Sequence, residues 1–198
     1  VAILPSSVPL NNIPTRDNFP DNPKPVVGWV GSRTTMKYIF SIESILANVA
    51  SVYPFELRII SDTPCSISSL PCHHIFWNLD RQDQEIAHFD IGIMPLSDDP
   101  WAKGKCAYKL LQCMAAEVPF VASAVGMNVE VTYGNTTGFA VNSDREFANC
   151  LIKLLRDKAL RRRMGKAGRA LVERFYTTEV ISEKLAQLIK FSVMSGSS

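Results

Sequence analysis

The chain has 198 residues, of which 46% are hydrophobic and 20% are charged, and its formal net charge is +2. This length matches one ordinary domain or one lobe of a larger protein, and the apolar content excludes a disordered chain. The small net charge gives no indication of nucleic-acid binding, and no apolar run approaches the roughly 18 residues of a membrane span.

Six of the twelve prolines fall within the first 25 residues, at positions 5, 9, 14, 20, 23 and 25. Proline fixes φ and lacks a backbone donor, so this segment is predicted to be an extended interdomain connector over 1–25. The chain begins with Val1 rather than Met, from which we expect further sequence upstream.

From Val26 onward, strand and helix patterns alternate. Short apolar runs predict strands at 26–30, 55–60, 74–77, 90–96, 120–123 and 138–141. Helical spacing predicts helices over 35–51 and 82–88, and another that runs from Gly104 to the strand at 120. Strands that are apolar on both faces and alternate with helices predict an α/β fold with a doubly wound parallel sheet, Rossmann-like in type. Such sheets bind ligands at the carboxyl ends of their strands.

The last third of the chain is predicted to be helical, and we expect a domain over 26–176 followed by a C-terminal helix and tail over 177–198. Residues 153–174 carry nine Lys or Arg residues and only two acidic ones. Contact with anionic lipid is one interpretation of this basic segment. A solvated helix face is the favoured one, because charged faces are common.

The cysteines and histidines give no metal or triad pattern. Five cysteines are an odd number without metal-ligand spacing, so we expect the protein to lie in a reducing cytoplasm. If the basic segment contacts lipid, we expect the protein to be peripheral to the inner face of the membrane. Cys72, His73 and His74 lack a second cluster, which favours a loop before a strand over a zinc site. Asp98 and Asp99 are interpreted as loop residues, so no metal and no bound cofactor are expected.

The loop after the first strand contains Gly31, Ser32, Arg33 and Lys37. A glycine turn that leads into a helix can present free N–H groups to an anion, and the two cations and the hydroxyl could assist. The loop fits a plain strand-to-helix turn capped by a hydroxyl residue equally well. It matches neither a dinucleotide fingerprint nor a P-loop.

The second candidate region is the helix predicted from Gly104. Lys105, Lys109 and Gln112 are spaced by four and three residues, so they are predicted to share one helix face. Ammonium groups near a helix start oppose the macrodipole, and an anionic ligand would compensate for this. The alternative is that both lysines extend into solvent.

The third candidate region follows the strand at 120–123. Gly126 permits a close backbone approach to a ligand, and Asn128 or Glu130 could begin a short helix. An ordinary loop explains this region almost as well. The three regions together, on successive carboxyl-end loops, favour a binding site.

With these residues in place, the chain resembles the C-terminal, donor-binding lobe of the GT-B glycosyltransferases of group 1, family 4. Four passages carry the likeness, at 3–8, 28–32, 90–123 and 126–139, and the basic residues at 163–169 add to it. The third passage is the most specific, because strand, loop, helix and strand agree in order and length. The likeness extends to about residue 176.

The resemblance implies a sugar-nucleotide donor and assigns roles to the loops. Lys37 stands where the family's lysine neutralises the diphosphate. The family's arginine would fall at Ser32, which makes Arg33 a displaced substitute. Gly126 and Met127 lie where the family's backbone contacts sugar or phosphate.

The resemblance also exposes departures at the predicted helix. The family's paired glutamates would fall at Gly104 and Gln112, and both are absent. Gln112 can still bind ribose hydroxyls, and Lys105 and Lys109 suit a variant branch with a basic helix start.

Four further positions follow from the same comparison. Trp77 and Asn78 occupy the loop where the base would stack or pair. Glu117 and Ala107 stand where the family prefers glycine.

The implied chemistry is transfer of a glycosyl group from a nucleotide-diphosphate sugar to an acceptor hydroxyl, with retention of configuration and without a metal, as in polysaccharide biosynthesis. The acceptor lobe is expected to precede Val1, and this lobe alone is expected to bind donor without efficient turnover. A non-catalytic sugar-nucleotide-binding lobe and a sugar-nucleotide epimerase remain the alternatives.

Overall fold

The computed structural model describes residues 3–11 and 13–195. Positions 1, 2 and 12 of the predicted connector and positions 196–198 of the predicted tail lie outside the described residues.

Six parallel strands form one sheet in the order β3-β2-β1-β4-β5-β6. The strands are Val26–Val30 (β1), Glu56–Ser61 (β2), Cys72–Phe76 (β3), Ile91–Met94 (β4), Phe120–Ser123 (β5) and Gly138–Val141 (β6). The predicted doubly wound parallel sheet is therefore confirmed. The strand order changes direction between β1 and β4, so a ligand crevice is expected at their carboxyl ends.

Helices cover both faces of this sheet, which is why its central strands β1, β4 and β5 are mostly apolar and buried. They are Met36–Ser41 (α1), Glu43–Val52 (α2), Gln82–Ala87 (α3), Pro100–Lys103 (α4), Tyr108–Ala115 (α5), Met127–Val131 (α6), Asp144–Arg156 (α7), Lys158–Phe175 (α8) and Thr178–Ser195 (α9). The helix predicted over 35–51 is interrupted at Ile42, which joins α1 to α2.

The hydrophobic core has two halves, one on each face of the sheet. Val27 and Trp29 of β1 pack into the half that also contains α1, α2 and α7. Val26 belongs to the other half, with α3, α5 and α8. Leu57 and Ile60 of β2 divide in the same way. This alternation follows from the two-residue period of a strand.

The region around Gly104 differs from its prediction. A short helix, α4, ends at Lys103 with Gly104 as its C-terminal cap, and Ala107 adopts a left-handed conformation with φ of 54° before α5 begins at Tyr108. The left-handed residue prevents one continuous helix. Lys105 therefore lies in the turn, and the prediction that it shares a helix face with Lys109 is wrong.

The N-terminal segment is held against the domain by specific contacts. Arg16 forms an ion pair with Asp90 at 3.2 Å, and Asn22 Nδ2 donates to the same carboxylate at 2.7 Å. Val8 forms an isolated parallel bridge with Thr177. The predicted extended segment also contains a short 3₁₀ turn at Arg16–Asn18.

Several cations of the basic segment bind partners within the chain. Asp17 lies 3.4 Å from Arg162 and 3.3 Å from Lys166, and Lys158 pairs with Asp21. Exposed pairs of this kind each contribute about 0–1 kcal/mol, so their role is mainly to fix the N-terminal segment on α8. Within residues 3–11 and 13–195, no helix has the length and apolar character needed to cross a bilayer.

Candidate functional site

A cavity of about 430 Å³ opens at the carboxyl ends of β1 and β4. It lies at the switch point of the sheet, and its volume is within the range of about 300–1,000 Å³ that small-molecule sites occupy. The lining residues are Trp29, Val30, Gly31, Ser32, Thr35, Tyr38, Asp62, Trp77, Met94, Pro95, Leu96, Lys105 and Lys109. Five residues predicted from the sequence thus come together here: Gly31, Ser32, Trp77, Lys105 and Lys109.

The first loop is closed by its own hydrogen bonds. Ser32 N–H donates to Thr35 Oγ1 at 2.8 Å, and Thr35 Oγ1 donates back to the Ser32 carbonyl at 3.0 Å. Arg33 N–H donates to Asp62 Oδ1 at 2.8 Å, while the Arg33 side chain is exposed and does not line the cavity. These backbone donors already have internal acceptors. An anionic ligand can therefore use these two donors only by displacing Thr35 Oγ1 or Asp62 from them.

Two lysines reach the cavity from the turn before α5 and from its first turn. Lys109 Nζ donates to Gln112 Oε1 at 3.1 Å. Burial lowers the pKa of Lys109, and the nearby Cys113 and Asp83 partly oppose this change. Burial also raises the pKa of the Cys113 thiol to about 12, so this cysteine is inert at neutral pH. An anion in the cavity would relieve the cost of keeping Lys109 charged.

Tyr38 is a cavity residue that the sequence did not reveal. It lies in α1, and the residue is only 3% exposed. Lys37 Nζ lies 5.0 Å from the centroid of its ring, and Lys105 Nζ lies 5.8 Å from it. Lys37 itself is exposed and is not among the lining residues. A buried Tyr, rather than Phe, just after the first strand is the signal that could have identified this position.

The structure places Trp77 and Asn78 differently with respect to the cavity. Trp77 lines the cavity, and its indole Nε1 donates to Gln82 Oε1 at 3.0 Å, which fixes the ring. Asn78 Oδ1 instead accepts from Asp80 N–H at 2.9 Å and shapes the turn before α3. Trp77 and Asn78 both line a neighbouring depression that also contains Arg81, and Asn78 does not line the cavity.

The two positions of the absent glutamates lie outside the cavity lining. Gly104 is the C-terminal cap of α4. Gln112 is 2% exposed, and its Nε2 donates to Asp83 Oδ1 at 3.0 Å while its Oε1 accepts from Lys109. Gln112 thus links Asp83 to Lys109 in an internal network.

Gly126 and Met127 are in contact with other parts of the chain and do not line the cavity. Gly126 has φ of 53°, and a Cβ at this position would lie 2.7 Å from the Lys103 carbonyl oxygen. Glycine is therefore required by the close approach of α4. Met127 is partly buried and packs against the core.

A second cavity, of about 340 Å³, lies beside the first and shares Pro95 and Leu96 with it. Its polar lining includes Asp98, Ser123 and Asp144. It contains no lysine or arginine, and so it has the opposite electrostatic character.

The histidines and cysteines form no metal centre in the described part of the chain, where no three His, Cys, Asp or Glu side chains gather suitably for an ion. His74 Nε2 lies 3.0 Å from Ser61 Oγ, and His73 lies 3.7 Å from Glu56. All five cysteines, each within the described residues, are free.

Solved structures of glycosyltransferases share this fold. Sucrose-phosphate synthase (tll1590) from Thermosynechococcus elongatus superposes with a TM-score of 0.73 and 17% identity, over 98% of this chain and 53% of that one. HepE (Alr3699) from Anabaena, solved with UDP and glucose, gives 0.76 and 14% over 96% and 56%. The C-terminal domain of a group 1 family protein, LpcC from Francisella tularensis, gives 0.63 and 19% over 86% and 99%.

The chain spans about half the length of the first two of these proteins and nearly all of the isolated C-terminal domain. No curated protein matches the sequence. The family model described as "Glycosyl transferases group 1" matches residues 24–157, which is more than half of the chain. On this evidence the chain belongs to the group 1 glycosyl transferases, with the fold of a GT-B lobe.

Proposed function

We propose that this chain binds a nucleoside-diphosphate sugar in the cavity at the carboxyl ends of β1 and β4. The observation that carries the proposal is the presence of Lys105 and Lys109 in a largely apolar cavity of suitable size. Two ammonium groups in such surroundings favour a compact anion, since the low local dielectric strengthens their attraction. A diphosphate has this charge and this size.

The same charges have a catalytic use. Glycosyl transfer places growing negative charge on the leaving diphosphate, and fixed cations stabilise that charge without reorganising during the reaction. In the proposed arrangement Lys105 and Lys109 carry out this task. Asp62 opposes them, because its carboxylate lies in the same lining.

The base of the nucleotide is proposed to lie against Trp77. This ring is 43% exposed, and its N–H is held by Gln82, so one aromatic surface is available at a fixed angle. Stacking on such a ring is worth about 1–3 kcal/mol and is tolerant of base identity. This geometry leaves the choice of base to other contacts.

The acceptor is proposed to bind to a separate lobe, since this chain spans only about half the length of the first two solved structures. The glycosyl group would then pass to an acceptor hydroxyl with retention of configuration. HepE is described in complex with UDP-glucose, which makes a uridine nucleotide a reasonable first probe.

One observation favours a second candidate, a lobe that binds the donor but has no turnover. Gly104 and Gln112 replace both carboxylates implied by the family resemblance, and Gln112 is committed to Asp83 and Lys109. Both candidates bind the nucleotide. They differ in whether the protein containing this lobe releases nucleoside diphosphate from a donor when an acceptor is supplied.

Calorimetric titration with UDP, GDP and ADP tests the proposed site. We expect one of these nucleotides to bind, and Lys105→Ala and Lys109→Ala each to weaken its binding about tenfold, which is the usual effect of one lost charged contact. Lys24→Ala is the matched control, because Lys24 is exposed and lies outside the cavity. The proposal fails if no nucleotide binds, or if both cavity variants bind as tightly as the control.

A further inference from the structure

Tyr38 has a buried hydroxyl group with no hydrogen-bond partner among the described residues. The residue is 3% exposed and belongs to the cavity lining. A buried hydroxyl without a partner destabilises a fold, and such groups are uncommon. A Phe ring would fill the same space without this cost. We therefore look for a hydrogen-bond partner of the hydroxyl among ligands rather than among the described residues.

The surroundings of Tyr38 indicate the charge of that partner. Lys37 Nζ and Lys105 Nζ lie 5.0 and 5.8 Å from its ring centroid, so two ammonium groups flank one aromatic side chain. The ring centroid of Trp101 lies 5.9 Å from Lys105 Nζ. Of these two lysines only Lys105 lines the cavity with Tyr38, and Lys37 lies near the same ring outside the lining. This combination suits an anionic oxygen.

We propose that the Tyr38 hydroxyl donates a hydrogen bond to a phosphoryl oxygen of the bound ligand, beside Lys37 and Lys105. The proposal rests on the proposed function, since it identifies the ligand as the diphosphate of a nucleotide. Tyr38 is then a ligand-binding residue, and its unpaired hydroxyl in the free protein is a pre-formed donor. The free protein loses some stability, and the bound state recovers it.

Tyr38→Phe gives opposite effects on stability and on binding if this is correct. Without the unpaired hydroxyl, which costs about 1–3 kcal/mol, the free variant should melt above the wild type by about 2–4 °C for each kcal/mol recovered. Its affinity for a nucleoside diphosphate should fall about tenfold to hundredfold, as for a lost hydrogen bond to a charged group. Tyr53→Phe makes the same chemical change at a residue outside the cavity and should alter neither quantity.

The measurements are thermal unfolding of the free protein and calorimetric titration with the nucleoside diphosphate and with inorganic pyrophosphate. Unchanged affinity in Tyr38→Phe, with the wild type binding nucleotide, overturns the role of Tyr38 and leaves the proposed function standing. A lower melting temperature shows that the hydroxyl has a structural partner and also overturns it. Tyr38-dependent binding of pyrophosphate without nucleotide binding supports the role of Tyr38 and contradicts the proposed function. Absence of binding by both probes counts against both.

Discussion

Gln112→Glu restores a carboxylate at a position where the family resemblance implies one, and we expect it to destabilise this protein. Gln112 Nε2 donates to Asp83 Oδ1 at 3.0 Å, and its Oε1 accepts from Lys109. A glutamate has nearly the same shape but cannot donate when ionised. The variant therefore places two carboxylates in contact at a site that is 2% exposed.

The size of the effect follows from two limits. Loss of a hydrogen bond to a charged partner amounts to about 1.5–3 kcal/mol. Alternatively, the new carboxyl group stays protonated in the folded state. At pH 7, which is about 2.7 units above the usual pKa of about 4.3, this costs about 1.4 kcal/mol for each unit, or about 3.7 kcal/mol in total. Lys109 attracts the new charge and reduces both. We expect a loss of about 2–4 kcal/mol in the free energy of unfolding at pH 7.

The pH dependence separates this mechanism from a packing defect. The folded state raises the pKa of the introduced carboxyl group, so it binds more protons than the unfolded state, and the penalty grows as pH rises above about 4.3. At pH 5 the difference from the wild type should shrink to about 1 kcal/mol. Urea unfolding at the two pH values measures this.

Two further variants complete the experiment. Gln112→Glu combined with Asp83→Asn returns a donor to the pair and should recover most of the lost stability, and a double-mutant cycle isolates the coupling. Gln187→Glu introduces the same charge at an exposed position and serves as the control. If Gln112→Glu unfolds at the wild-type urea concentration at pH 7, the contact between Gln112 and Asp83 does not exist, and Gln112 is free to bind a ligand.

Three other predictions concern backbone strain, charge and pH. Ala107 and Glu117 have φ of 54° and 59°, a conformation that favours glycine. Glu117→Gly should therefore raise the free energy of unfolding by about 1 kcal/mol, and Ala107→Gly should raise it by less, because the Ala107 methyl group is buried. If urea unfolding shows no gain for either variant, these two residues are not strained. Asp62→Asn keeps an acceptor for Arg33 N–H and removes a negative charge from the cavity, so calorimetry should show about threefold to tenfold tighter nucleotide binding, and weaker binding would contradict the site. Nucleotide affinity should fall as pH rises past the lowered pKa of Lys109, with a midpoint below the ordinary lysine value of 10.5. Lys109→Arg should remove this pH dependence, because arginine stays charged. An identical pH profile for Lys109→Arg would exclude Lys109 as the source of the pH dependence.

Strand and helix periodicity predicted the sheet well because both faces of it are covered, which leaves clear apolar runs at β1, β4 and β5. The turn before α5 could not be predicted in the same way. Ala107 is a good helix former, and its left-handed conformation is imposed by tertiary packing, since the residue is 1% exposed. The family preference for glycine at this position was visible, but its conformational meaning was not.

The candidate site was only partly accessible from the sequence. The lysines at 105 and 109 were identified by charge near a predicted helix start, although only Lys109 is in the helix. The partner of Gln112 is Asp83, 29 residues away, and no local pattern records such a contact. Tyr38 was hidden because an aromatic residue at helical spacing is ordinarily part of the core.

The partners of the basic segment were also not predictable from the sequence. A run of cations predicts a solvated or lipid-facing surface, yet Lys158 and Asp21 pair across a sequence separation of 137 residues. Arg169 likewise donates to the Ala115 carbonyl at 2.7 Å. Contact with a membrane stays a prediction.

The most direct test of the central claim is a crystal structure of this chain with a bound nucleoside diphosphate. We predict phosphoryl oxygens within about 4 Å of Lys105 Nζ and Lys109 Nζ, the distance of an ion pair, and a base against the Trp77 ring. Phosphates located instead in the neighbouring cavity at Asp98, Ser123 and Asp144, or away from both cavities, would contradict the account.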